Sequence, residues 1–271
     1  LTDLTKKENT KKTPKFDLFK NKPTNKNCFV LDFHGDIKAT EVQQLREEIS
    51  TLLTVAQAED EVIVRLESSG GMVHAYGLAA AQLARIKEAG LNLTVCIDKV
   101  AASGGYMMAC VADKILAAPF AVVGSIGVVA QVPNFHDLLE KHDIDVEVFT
   151  AGKYKRTVTV FGENTEEDKQ KFQQELEETH KLFKDFVHKY RPSLDVEQVA
   201  TGEHWYGEDA ITRNLVDALQ TSDSYILEKM TDSELYAIQS RQKPTIAQKL
   251  GISQAAQAVV ATAIDKLPDA L

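Results

Sequence analysis

From Cys28 onward, apolar and polar positions alternate between two periods. The runs Cys28 to Phe33, Val62 to Leu66, Leu93 to Ile97 and Lys114 to Leu116 are short, β-branched or aromatic, and read as strands, as does Val146 to Phe149. Between them, 40–58 has the spacing of an amphipathic helix, an Ala-rich stretch from the Gly70-Gly71 pair to about Lys87 reads as a second, and 103–112 as a third. Strands separated by helices of this length imply crossover connections and a largely parallel sheet, so the fold class is α/β.

Farther along, 164–190 predicts a long charged helix, with Asn164 as N-cap, Glu167 at the capping-box position and Pro192 as the stop. Residues 207–218 and 222–238 predict two more helical segments. Residues 243–271 are Ala- and Gln-rich with helical spacing and read as a C-terminal tail. The domain between them is 28–242.

Composition narrows the class. The 271 residues are 44% apolar without a run long enough to cross a bilayer, which excludes a membrane bundle, a disulfide scaffold and a wholly disordered chain. The formal charge is −9, unevenly placed: residues 1–27 hold eight Lys against three acidic side chains, a balance of +5, and the remainder carries −14. So acidic a body lacks the phosphate-neutralising charge of a general nucleic-acid binder. The Lys-rich opening reads as a flexible arm or linker. The chain begins at Leu1 rather than Met and reads as a fragment or processed form. Cys28, Cys96 and Cys110 lie in apolar runs without CxxC or His partners, so they read as buried small hydrophobes; no metal or cofactor is expected.

Candidate chemistry sits at strand-to-helix turns. In Val100-Ala101-Ala102-Ser103-Gly104-Gly105-Tyr106, small residues surround a Ser that opens a helix directly after a strand. A sharp turn there exposes a hydroxyl, and the free amides of the first helical turn can hold an oxyanion; a plain Ser N-cap beside a packing glycine explains the same pattern. Glu67-Ser68-Ser69-Gly70-Gly71-Met72 is a second such turn, with unshielded amides of its own. Two such turns on neighbouring parallel strands converge on one sheet edge, which makes the pair more informative than either alone. None of the seven His lies in a small-residue turn with an evident Asp partner. Ala151-Gly152-Lys153-Tyr154-Lys155-Arg156 offers a Lys base instead, and its periodicity does not choose between Lys153 and Lys155.

The segments AASGGYMMACVADKILAAP, VGSIGVV, AGKYKR and GEHWYGEDAITRNLVD together resemble the bacterial signal peptide peptidase A family, over roughly residues 28–230. That resemblance implies a ClpP/crotonase-like fold and a serine endopeptidase with a Ser–Lys dyad. Carried over, Ser103 matches the nucleophile, Lys155 the general base, Ser125 the hydroxyl that bonds the Lys amine, and the amides of Gly71 and Gly104 the oxyanion hole. Gly202 and Trp205-Tyr206-Gly207 match a structural helical segment. Ser69 stands where relatives commonly have Pro, and long relatives carry two copies of a unit present once here. The resemblance further implies peptide substrates such as signal-peptide remnants, a homo-oligomeric ring or dome, and an inner-membrane location through an N-terminal anchor. It favours a periplasmic protease domain, whereas the Lys-rich arm favours the cytoplasmic side. A crotonase-like acyl-CoA enzyme and a non-catalytic membrane scaffold are the competing classes.

Overall fold

A computed structural model describes residues 26–240; the Lys-rich arm, apart from residues 26 and 27, and the whole C-terminal tail fall outside the described residues. The chain runs β1 (Asn27–Gly35), α1 (Val42–Leu52), β2 (Glu61–Ser68), α2 (Val73–Glu88), β3 (Asn92–Ile97), β4 (Val100–Ala102), α3 (Gly104–Ala109), β5 (Lys114–Ala117) and β6 (Val122–Gly124). Then come α4 (His136–Glu140), α5 (Glu166–Tyr190), α6 (Val196–Val199), β7 (His204–Tyr206), α7 (Gly207–Thr212), β8 (Ala218–Leu219), α8 (Ser222–Lys229) and β9 (Glu234–Ala237).

Among these strands every pairing is parallel except β6 with β7, as the alternating pattern requires. The sheet forks at the end of β2. Along most of its length β2 lies between β1 and β3, and the β3 branch continues to β5 and β8. At its last residue, Ser68 pairs with Ala101 of β4, which starts a second branch through β6 to β7. The fork brings the ends of β2 and β4 side by side, and each opens into a glycine-rich turn.

The apolar faces of α1 and α2, with Leu45, Ile49, Leu52, Leu83 and Ile86 fully buried, cover one side of the sheet. Tyr225 of α8 caps a smaller cluster with Cys28, Ile63, Cys96 and Leu116 on the other. All three cysteines are free and buried, and burial pushes the Cys28 and Cys96 thiols up to about 12, so they serve as small hydrophobes as expected. The end of α5 is anchored by Arg191, whose guanidinium forms a fork to Asp217 at 2.7 and 2.9 Å, while Asp217 also accepts the Ile115 amide of β5.

Several expectations need correction. Thr165, not Asn164, caps α5, in a capping box with Asp168. The Asn164 amide is occupied by the Thr159 backbone, and Glu167 pairs with Lys153. Val146 to Phe149 forms no strand: its alternation is real, but no neighbouring strand supplies a ladder and the segment is solvent-exposed. The segment 207–218 is helical only to Thr212, and 222–238 only to Lys229. Glu234 to Ala237 instead completes the sheet beside β1. Trp205 and Tyr206, assigned to a helical segment, form β7 on the edge of β6, and Gly207 starts α7.

Between β6 and α5 the chain makes a long excursion over residues 127–163. Its base is closed by the Phe135 amide on the Val160 carbonyl (2.8 Å), by Asn134 Nδ2 on the Thr159 and Gly162 carbonyls, and by stacking of Phe135 on Phe161. Its side chains stay largely in solvent, with Val129 at 91% and Phe149 at 87% exposure.

Candidate active site

The two glycine turns meet. Gly70 has φ +88°, and a Cβ there would lie 2.7–2.8 Å from the Gly104 amide nitrogen, the Ala102 carbonyl and the Ser103 Cβ. Only glycine permits both that conformation and that approach. Gly71 is pressed equally hard on the backbone of Ile37, whose carbonyl accepts the Met72 amide at 2.8 Å. Among the described residues, neither the Gly71 nor the Gly104 amide has a hydrogen-bond acceptor.

Ser103 sits at φ 52°, ψ −119°, a sparsely populated conformation that costs a non-glycine residue about 1–3 kcal/mol. Its side chain does not cap α3. The plain N-cap explanation therefore fails: the hydroxyl is spent on no helix amide. The Ser103 amide donates to the Gly124 carbonyl at 2.8 Å, which holds the nucleophile turn to the end of β6. Ser125 follows Gly124, and both are left-handed, at φ 51° and φ 98°. The Ser125 amide donates to the Glu203 carbonyl at 2.6 Å, so the β6–β7 pairing fixes the Ser125 turn. Ser103, Ser125, Gly71 and Gly104 thus belong to one backbone-linked cluster.

Lys155 stands apart. It lies in the outer part of the 127–163 excursion, in a turn closed by its own amide on the Gly152 carbonyl (3.1 Å), and its side chain is exposed. No hydrogen bond or ion pair links it to the cluster or to any other described side chain. Lys153 behaves differently. Its ammonium pairs with Glu167 at 2.7 Å and lies over the Tyr154 ring. The Glu167 hydrogen bond, then Tyr154, pushes its pKa up, which holds the proton in place. Of the two lysines that sequence periodicity left equivalent, one is committed to an ion pair and one is free.

A cleft of about 230 Å³ opens elsewhere on the sheet, lined by Asp32, Arg65, Glu67, Asp98 and Lys99 among others. Its polar groups are partnered: the Arg65 guanidinium forks onto Asp32, Lys99 pairs with Glu67, and Asp98 accepts from the Ser222 amide. The glycine turns remain the candidate reaction centre.

The profile of peptidase family S49 matches residues 85–236, and that of the S49 N-terminal region matches residues 2–83. The chain belongs to peptidase family S49. Among curated S49 relatives, Probable protease SohB of Haemophilus influenzae is 65% identical over 82% of this chain and 63% of its own length. Probable protease SohB of Buchnera aphidicola from Acyrthosiphon pisum is 58% identical over 80% of the chain and 65% of its own. The chain therefore spans a little under two thirds of those relatives. Among solved structures, a mutant of the 1510-N membrane-bound stomatin-specific protease covers 80% of the chain, and is itself 99% covered, with a TM-score of 0.51 at 11% identity. That likeness shows the ClpP-like S49 fold.

Residue patterns alone do not single out Ser125, which is identified by family resemblance, nor Tyr76 and Ser68, which hold the two turns together. Tyr76 is an aromatic residue in the first turns of α2 after the glycine pair, on the face that α2 turns inward, and by pattern it is indistinguishable from core.

Proposed function

We propose that this chain is the proteolytic unit of a serine endopeptidase in which Ser103 attacks and Lys155 is the base. The observation that carries the reading is the contact of the two turns: a strained, uncapped Ser103 abutting Gly70, with the unpaired Gly71 and Gly104 amides on either side. A neutral Lys155 amine takes the Ser103 proton as Oγ adds to the scissile carbonyl. The Gly71 and Gly104 amides hold the tetrahedral oxyanion, the ammonium returns the proton to the leaving amine, and water resolves the acyl-enzyme. Ser125 orients the amine, supported by its place one backbone hydrogen bond from Ser103.

A Lys is a base only when desolvated and unpaired with a carboxylate. Lys155 is free of carboxylates but exposed. The reading therefore includes a homo-oligomer in which the apolar 127–163 excursion, with Val129, Leu138, Ile144 and Phe149 in solvent, packs on a second copy and encloses the amine. The substrate class we assign is signal-peptide remnants and other membrane-associated peptides, at the bacterial inner membrane; family resemblance supports this part. No described helix is long and apolar enough to cross a membrane.

The test is Ser103→Ala, with a fluorophosphonate probe on the unaltered chain. Peptide hydrolysis should fall at least about a thousandfold in the variant, and the probe should attach to Ser103. Activity kept in Ser103→Ala, or labelling at another residue, removes the assignment.

A further inference from the structure

Resting on the peptidase reading, we propose that Tyr76 is a positioning residue that sets the distance between the two halves of the oxyanion hole. Tyr76 is the fourth residue of α2 and is fully buried. It touches both turns by different means.

The ring contacts the nucleophile turn. A Cβ on Gly104 would collide with Tyr76 Cγ and would lie 2.7 Å from Cδ2, so the Gly104 backbone rests directly against the root of the aromatic ring. The hydroxyl holds the other turn. The Gly70 amide donates to Ser68 Oγ at 3.0 Å, Ser68 Oγ lies 2.5 Å from the Tyr76 hydroxyl, and that hydroxyl donates to the Asp36 carbonyl at 2.7 Å. With the Tyr76 proton on the Asp36 carbonyl, the Ser68 hydroxyl accepts from Gly70 N–H and has its own proton to share between the Tyr76 oxygen and the Gly35 carbonyl at 3.2 Å. The next residue, Ile37, presents the carbonyl that accepts the Met72 amide. Of the residues on either side of Gly71, Gly70 is thus linked to the phenol through Ser68, and Met72 bonds the residue next to the phenol's acceptor.

Gly35 completes the cradle, since a Cβ there would collide with the Tyr76 hydroxyl and lie 2.5 Å from Ser68 Oγ. Burial, in the main, raises the Tyr76 pKa, which keeps the phenol a donor across the working pH range. Oxyanion donors act by being in place before charge develops, so a residue that fixes the separation of Gly71 from Gly104 acts on the transition state more than on the bound substrate.

Tyr76→Phe keeps the ring against Gly104 and removes the hydroxyl relay; Ser68→Ala cuts the same relay one link away and leaves Tyr76 in place. In each variant kcat should fall roughly 10- to 100-fold, less than deletion of a donor itself, with KM within about threefold. Affinity for a peptide aldehyde, whose hemiacetal places an oxyanion in the hole, should fall in parallel. The double variant should be no worse than the poorer single one, because both changes break one chain. A kcat within about twofold of the parent in Ser68→Ala overturns the proposal, whether or not Tyr76→Phe folds. So does a loss shared equally by KM and thermal stability with aldehyde affinity unchanged. Ser103→Ala assayed alongside separates the two claims: if it is inactive while the relay variants are not, only the positioning role is wrong, and if it is active, the peptidase reading falls and this inference with it.

Discussion

At Lys153 and Lys155, two side chains of the same type, two positions apart, have opposite fates. Lys153 is held charged by Glu167, and Lys155 has no such partner. The consequence is an ordered set of losses. Lys155→Arg should abolish peptide hydrolysis as completely as Lys155→Ala, because a guanidinium does not give up its proton. Lys153→Ala should retain most of the rate. Steady-state assays of the three variants check this, and an inactive Lys153→Ala beside an active Lys155→Ala reverses the assignment. The sequence carried half of this site. The small residues around Ser103 and the Gly70-Gly71 pair are visible because a tight turn admits little else. Strand alternation leaves Lys153 and Lys155 equivalent, and only the position of Glu167 on α5 distinguishes them. Tyr76 was silent for a related reason: one buried aromatic in an Ala-rich helix looks like core until its hydroxyl is followed to Ser68 and Asp36.

Among the elements, β1, β2 and β3 are legible as longer runs of apolar, β-branched or aromatic residues, whereas β4, β6, β7 and β8 are two or three residues each, too short to carry a period. Such strands are specified by the neighbours that receive them. Val146 to Phe149 shows the converse, an alternating run that no neighbour receives. The junction of β2, β3 and α8 makes a measurable case. Glu61, at the start of β2, accepts from Thr94 of β3 and Tyr225 of α8 at 2.6 Å each, and pairs with Lys229 at 2.6 Å. Burial works to raise its pKa, but the hydrogen bonds from Lys229, Thr94 and Tyr225 and the Lys229 charge outweigh it, and the carboxyl is held below its usual value. A carboxyl depressed in the folded state binds its proton more readily in the unfolded state, so its contribution is present above the unfolded pKa and lost as pH falls through the folded one. Glu61→Gln should therefore cost roughly 1–3 kcal/mol at pH 7 and progressively less below pH ~4. Urea melts at the two pH values give the answer, and an equal cost at both contradicts the ion pair.

For the whole molecule, the excursion that carries Lys155 has too little of its own chain around it to bury its apolar side chains or the amine. If a second copy supplies the cover and Ser103 and Lys155 of a working site come from different subunits, two dead proteins should restore each other. Co-refolding Ser103→Ala with Lys155→Ala in equal amounts leaves about a quarter of such sites with both groups intact, so activity should reappear. A mixture that stays dead places both groups in one subunit, and a fully active monomer in sedimentation analysis removes the oligomer.

The sheet also bears on how the chain is made. β1 begins at Asn27 and its outer neighbour β9 at Glu234, so the first strand of the domain waits for one of the last, about 200 residues away. Throughout ribosomal synthesis of everything between, one edge of β1 has no permanent partner, and its open row of amides and carbonyls is available to any other nascent strand. A domain that can be seated only once its far end emerges has a birth hazard built into its topology, and the four residues of β9 are what close it.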